Sequence, residues 1–246
     1  MAGFDLIPVI DLKDGMVVHA REGRREEYRP VESRLAGGAE PTKIVAALLA
    51  LHAFRRLYIA DLDAIERRGD NLESIRAIRK NFPGLELWTD TGVGDDRALE
   101  RWLDAGLGRP VIGSESLHDS EFMTLVRDRC ADASPVLSLD YQGDDFMGPA
   151  ALLTHPERHW PRRILAMNLQ RVGSDRGPDL GLIIGLANRV PGCKVYAAGG
   201  VRSTGDLETI MATGAAGALL ASALHDGRIG SADLARLEET AARRGK

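Results

Sequence analysis

Two aspartates stand at the ends of short β-type runs, Asp11 after Leu6 to Ile10 and Asp140 after Val136 to Leu139. A carboxyl at a strand end either caps the loop that follows or projects into a cavity as a proton donor or acceptor. One such residue alone would favour the cap; two at corresponding ends of a repeated unit favour catalysis. For the pair to work, one carboxyl must stay protonated while its partner stays ionised, so their surroundings must push the two pKa values apart. Which of the two donates is left open by the sequence. A second constellation, Gly199-Gly200 and Ser222-Ala223, also follows β-type runs. Glycines let the backbone approach a ligand closely, and amides at a following helix N-terminus point at an anion. A phosphate site is the expectation, against the plainer reading of tight turns that need glycine.

Residues so spaced need a scaffold that brings strand ends together. Short β-type runs alternate with longer amphipathic runs, the pattern of βα units and a parallel sheet. Eight strands are predicted: Leu6 to Ile10, Leu57 to Ala60, Leu85 to Thr89, Pro110 to Ile112, Val136 to Leu139, Ile164 to Met167, Lys194 to Ala197 and Ala218 to Leu220. Helices are predicted near Thr42 to His52, Leu72 to Lys80, Asp96 to Ala105, Ser120 to Arg129, Asp179 to Arg189, Thr204 to Thr213 and Ser231 to Ala242. Between Gly148 and His159 prolines restrict any helix to a turn or two. The expected fold class is α/β, an eight-stranded parallel β/α (TIM) barrel in which residues 1–246 form one domain.

The chain also repeats itself, and self-similarity at long period reports on architecture. Leu87 to Ser114 matches Val195 to Ser222 without a gap at a shift of 108 positions, pairing Gly92 with Gly200, Leu99 with Leu207 and Ser114 with Ser222. Asp11 and Asp140 are 129 apart, which leaves 21 extra residues in the first half. A two-fold half-barrel repeat follows. The extra residues fit Gly15 to Pro41, too long for an ordinary βα connection and expected to be a lid over the active face.

Hydrophobic residues make up 44% and charged residues 28% of the 246, which suits a sizeable core with a solvated surface. With 32 basic against 36 acidic residues the net charge is -4, which argues against a nucleic-acid partner. No window approaches the roughly 18 apolar residues of a membrane span, and the opening stretch lacks the basic start of a signal peptide. A cytoplasmic location is expected. Cys130 and Cys193 are far apart with no metal-ligand spacing, so neither a disulfide framework nor a metal site is expected.

Ile7-Pro8-Val9-Ile10-Asp11-Leu12-Lys13-Asp14-Gly15 resembles the opening of the HisA and HisF family of histidine biosynthesis. Nearly the whole chain follows: Asp61-Leu62-Asp63, Asn71-Leu72, Gly199-Gly200-Val201 and Ala223-Leu224-His225-Asp226-Gly227 all stand where that family has similar residues. The opening and Asp61-Leu62-Asp63 are more similar to the HisA isomerase than to the HisF cyclase. The resemblance implies that Asp11 and Asp140 are the general acid and base, on opposite sides of the barrel mouth. They would open an aminoaldose ring and shift a proton to give an aminoketose. It further implies a phosphate held by Gly199, Gly200, Ser222 and Ala223, with no organic cofactor. The cyclase alternative would need a glutaminase partner and a channel, neither of which the sequence supports.

Two segments depart from the family. Its isomerase substrate has a phosphate at each end, and the first-half cradle typically reads as three glycines, an apolar residue and arginine; here it is Asp90-Thr91-Gly92-Val93-Gly94. At an effective dielectric of 20, like charges 4 Å apart repel by about 4 kcal/mol, against the roughly 0.3–1 kcal/mol a helix N-terminus offers. Phosphate should be rejected there unless Asp90 turns away or a cation bridges it. After the sixth strand, Met167 stands at the family's usual threonine and Val172 at its usual second aspartate. Asn168, Gln170, Arg171 and Ser174 then form either a different polar rim or an ordinary loop. The stretch from Gly23 to Leu35 is similar to a branch of the family in methanogens and methylotrophs that is associated with one-carbon metabolism; Tyr28 or Arg29 would clamp substrate there.

The reading is a HisA-like isomerase acting on a phosphorylated small molecule derived from a sugar. The alternatives are a divergent enzyme acting on a mono-phosphorylated metabolite of one-carbon cofactor metabolism, and a phosphate-binding subunit without turnover.

Overall fold

The computed structural model describes residues 3–130 and 134–244. Eight parallel strands run β1 Asp5–Lys13, β2 Arg56–Asp61, β3 Glu86–Asp90, β4 Arg109–Gly113, β5 Val136–Gln142, β6 Arg163–Asn168, β7 Lys194–Ala198 and β8 Gly217–Leu220. Each pairs with the next, and β8 returns to β1 in the register Asp5↔Gly217 to Pro8↔Leu220, closing the barrel. Closure leaves no parallel edge exposed. Between the strands lie helices α1 Pro41–Leu51, α2 Leu72–Asn81, α3 Asp96–Ala105, α4 Glu121–Arg129, α5 Leu180–Ala187 and α6 Thr204–Ala212, with α7 Ser231–Arg244 at the end. The proline-rich crossover holds two four-residue turns, Ala151–Thr154 and Pro156–His159, as its composition requires.

Two apolar layers follow from the strand period of two. In β2, Leu57 and Ile59 face the helices while Tyr58 and Ala60 face the barrel axis. In β7, Val195 and Ala197 point outward while Tyr196 and Ala198 point inward. Helix faces meet the outer layer through pairs three apart, such as Ile75 with Ile78, Leu99 with Trp102 and Leu207 with Ile210. Inside, Trp88 and Tyr196 pack edge to face at 5.1 Å. Arg56 pairs with Asp5 and Glu86, and Arg109 with Glu86, across the N-terminal end of the strands. That end is therefore sealed, and the opposite end is left for function.

The long first-half segment differs from the expected lid. Lys13-Asp14-Gly15-Met16 forms a two-residue hairpin turn with Asp14 at φ 51° and Gly15 at φ 76°, the positive angles a tight hairpin requires. The chain returns antiparallel along β1 as Met16–His19, paired Asp11↔Val18 and Lys13↔Met16, and a further short strand, Arg29–Pro30, joins its edge. A buried polar knot fixes the turn. Asp63 accepts from the Asp14 N–H at 2.7 Å, Asn71 accepts from the Gly15 N–H at 2.8 Å, and Asn71 donates to both Asp61 and Asp63. The segment is thus a hydrogen-bonded cover. The equivalent strand of the second half, β5, also turns back, with Asp145–Phe146 paired to Tyr141 and Gln142.

Candidate functional site

Strand parity sets the site. On β1, Ile7 and Val9 belong to the inner layer, so two residues on Asp11 points inward; on β5, Val136 precedes Ser138 and Asp140 on the same face. On β3, Trp88 faces inward and so does Asp90. All three carboxylates line one cavity at the C-terminal ends of the strands. Glu115 joins them from the turn after β4, and the cover contributes Ala20, Arg25 and Tyr28.

Burial dominates the electrostatics, because an ionised carboxylate removed from water is disfavoured. Asp140, only 4% exposed, is raised to about 8 by burial, with the nearby charge of Glu115 adding to the effect. Its oxygens accept from Ser138 Oγ at 2.5 Å, the Glu115 N–H at 3.2 Å and Ser114 Oγ at 3.3 Å. Asp11 is raised to about 7, chiefly by burial, while the Arg25 guanidinium pulls it down. Its carboxylate makes no hydrogen bond to any described residue. Asp90 is raised to about 6 by burial, offset by the Gly92 N–H that it binds at 3.1 Å. Tyr58 donates to Asp90 at 3.3 Å from the cavity floor. Arg25 forms a short ion pair with Glu115, so the cover is tied across the mouth by opposite charges.

The other end of the cavity is formed by Gly199, Gly200 and Val201 after β7 and by Ala221 and Ser222 after β8. Within the described residues, the N–H groups of Gly200, Val201, Ser222 and Ala223 take no hydrogen-bond partner. Unpaired amides grouped in this way suit an anion. Ala223 is fully buried behind the loop and does not itself line the cavity. Ser222 Oγ is held at 3.0 Å from His19 Nε2, and Arg228 adds a cation at the rim.

The expected rim after β6 is only partly there. Ser174 lines the cavity, but Arg29, Asn168 and Arg171 do not. Asn168 falls on the outward parity of β6, where it donates to Asp179 and to the Gly143 carbonyl. Arg171 is used up bracing its own loop through the carbonyls of Arg176 and Gly177. Arg29 is exposed and bonds the carbonyls of Glu26 and Tyr28. In their place Met167, Leu169 and Val172 make an apolar wall. Tyr58, Glu115 and Arg228 do not stand out in the sequence, the basic pair Arg24-Arg25 reads there as a solvated face although Arg25 lines the cavity, and Asp90 reads as part of a loop. Parity marks Tyr58 and Asp90; nothing local marks Arg25 or Arg228. No three His, Cys, Asp or Glu side chains among the described residues converge closely enough to hold a metal ion. No described helix is long and apolar enough to cross a membrane.

Comparison with known proteins identifies the family. An uncharacterised protein of Methanocaldococcus jannaschii is 30% identical over 227 residues, covering 90% of this chain and 93% of the relative. Two relatives are named 1-(5-phosphoribosyl)-5-((5-phosphoribosylamino)methylideneamino) imidazole-4-carboxamide isomerase. That of Xanthomonas campestris is 29% identical over 241 residues, covering 92% of this chain and 96% of the relative. That of Stenotrophomonas maltophilia is 30% identical over 246 residues, covering 94% and 98%. The profile described as histidine biosynthesis protein matches residues 5–230. The chain belongs to the histidine biosynthesis protein family.

Proposed function

We propose that this protein is an isomerase of the aldose–ketose type that rearranges a phosphorylated amino sugar by aspartate acid-base catalysis. The observation that carries the reading is that Asp11 and Asp140 line one cavity in unlike surroundings. Asp140, raised to about 8, carries the proton near neutral pH and delivers it to the ring oxygen as the ring opens. Asp11, which burial raises only to about 7 because Arg25 offsets part of the effect, removes the proton from the adjacent carbon. That proton returns to the former aldehyde carbon while the Asp140 carboxylate takes the proton of the neighbouring hydroxyl as the ketone forms, so atoms and charge balance, both carboxyls are restored and no oxidant is needed. The grouped amides of Gly200, Val201 and Ser222 hold the phosphate. The apolar wall and the cover exclude water, which strengthens each of these interactions.

Relatives named as isomerases of a compound with two phosphoribosyl groups support this class of reaction. One observation favours a substrate with a single phosphate: Asp90 occupies the Gly92 N–H and faces the cavity. The two substrates are separated by incubating the protein in deuterated water with the relatives' named substrate and with single-phosphate amino sugars, following deuterium incorporation and product by mass spectrometry. Ligand binding with neither exchange nor product in every case would sink the enzyme reading and leave a phosphate-binding subunit.

A further inference from the structure

The two halves of the repeat can be compared at the positions that border the cavity. At the shift of 108, Asp90 corresponds to Ala198 and Glu115 to Ala223. In the second half these strand ends carry small apolar residues beside four unpaired amides; in the first half both are carboxylates that line the cavity. The cavity is therefore polarised, with anion-binding amides at one end and acids at the other.

Glu115 is paired with Arg25, which also acts on Asp90 through its charge but makes no hydrogen bond to it. Asp90 is 7% exposed, and its donors are neutral: the Gly92 N–H and the Tyr58 hydroxyl. A buried ionised carboxylate held only by neutral donors is incompletely compensated. Next to it stands Gly113, whose φ of -75° and ψ of 130° any residue adopts, so the backbone does not demand glycine. What glycine supplies is space. A Cβ there would lie 3.4 Å from Asp90 Oδ2 and 3.2 Å from Asp140 Oδ2. A side chain there would crowd both carboxylates, of which Asp90 lines the cavity, and a compact donor with several N–H groups is the chemistry that fits beside it. The acids do not converge into a metal-binding set among the described residues, which points to an organic cation.

We propose that Asp90, at the acidic end of the cavity, recognises a protonated primary amine on the substrate and excludes a second phosphate. This rests on the reading that the amides around Gly200 and Ser222 hold the substrate's phosphate. Asp90, raised only to about 6, is ionised near neutral pH and so available to an ammonium group. The substrate class is a phosphate monoester with an amine at its far end.

The test uses the full-length protein and calorimetric titration at pH 7.5 with ω-aminoalkyl phosphates of two to six carbons, the ω-hydroxyalkyl phosphates of the same lengths, and the corresponding α,ω-bisphosphates. At the best length the amine should bind at least tenfold more tightly than the hydroxyl, and the bisphosphate more weakly than either. Asp90→Asn should bring the amine-to-hydroxyl ratio below about twofold, and Gly113→Ala should lower it by displacing the Asp90 carboxylate. Thermal melts of both variants report folding separately, because a merely structural role would weaken all three ligands together. Equal binding of amine and hydroxyl, or preferred binding of the bisphosphate, overturns the proposal. Ser222→Ala tests the phosphate reading on its own. If it weakens amine and hydroxyl phosphates alike while no amine preference exists, the phosphate site stands and the amine site falls. If the amine preference persists and Ser222→Ala changes nothing, the reverse holds.

Discussion

Arg25, on the cover, reaches across the cavity mouth to Glu115 at the end of β4, and the pair joins two segments 90 positions apart in sequence. Both side chains are about one-fifth exposed, so the pair is only partly screened by water. Its charges act on the catalytic carboxyls in opposite senses. Glu115 raises Asp140, and Arg25 lowers Asp11 and Asp90. In Glu115→Gln the Asp140 value should fall by about one unit, and in Arg25→Gln the Asp11 value should rise by about as much. Carboxyl carbon chemical shifts followed through a pH titration read both without a substrate. Shifts of the same sign in the two variants would show that the cover moves rather than that charge is lost.

Replacing the carboxyls themselves separates chemistry from folding. Asp11→Asn and Asp140→Asn should each reduce turnover by roughly 10²–10⁴-fold, the usual contribution of a positioned acid or base. Stability should respond in the opposite direction for Asp140. Because its value rises from 3.8 to about 8 on folding, the native state binds more protons than the unfolded chain between those pH values. Native stability from this group is thus present below about pH 4 and is lost as pH rises through about 8. Asparagine has no such slope. Asp140→Asn should match the parent in urea midpoint near pH 4 and exceed it at pH 9 by several kcal/mol. A variant that is less stable at every pH would mean that Asp140 serves the fold and not the chemistry.

The Asp61-Leu62-Asp63 and Asn71 motifs carry a different load. Asn71 is 5% exposed and satisfies the Gly15 N–H, Asp61 and Asp63 at once, so its removal strands several buried polar groups. Asn71→Ala should cost about 2–4 kcal/mol in urea unfolding, at about 1–3 kcal/mol for each group left unpaired. The hairpin is continuous with the cover, so hydrogen exchange should quicken at the amides of Val17 and Val18 ahead of those in β4. Uniform exchange across the barrel would show that the knot does not belong specifically to the cover.

How far the site could be read in advance turned on single residues at element boundaries. The alternation of β-type with amphipathic runs placed all eight strands and set Asp11 and Asp140 at strand ends, where the period of two then turns both inward. β3 was expected to end at Thr89 but continues through Asp90. That residue was therefore assigned to a phosphate loop, although the parity of Trp88 already sends it inward. The same one-residue extension of β6 carries Asn168 away from the cavity and makes Met167 its wall. Asp14-Gly15 is the residue pair a two-residue hairpin turn favours, but it opens a polar segment with no strand-like alternation to reveal the returning strand. Arg25, by contrast, reaches Glu115 through long-range closure that no local pattern encodes.

The phosphate asymmetry separates a substrate with two phosphates from one with a single phosphate. At Gly200, Val201, Ser222 and Ala223 the amides are unpaired within the described residues, and Ser222 Oγ stands beside them. At the matching first-half loop the Gly92 amide is taken by Asp90, a charge that repels an anion. Crystals soaked in sulfate should therefore show an anion touching Gly199, Gly200 and Ser222, and none beside Asp90, Thr91 and Gly92. Asp90→Gly should relieve the repulsion and free the amide, raising the affinity for α,ω-alkyl bisphosphates by tenfold or more, since a charge-assisted hydrogen bond contributes about 1.5–3 kcal/mol. In parallel, the parent protein should turn over the relatives' named substrate at least a hundredfold more slowly than a single-phosphate amino sugar of matched length. Two equally occupied anion sites, together with efficient isomerisation of the compound carrying two phosphoribosyl groups, would mean that Asp90 swings aside on binding and that the first loop still serves a phosphate.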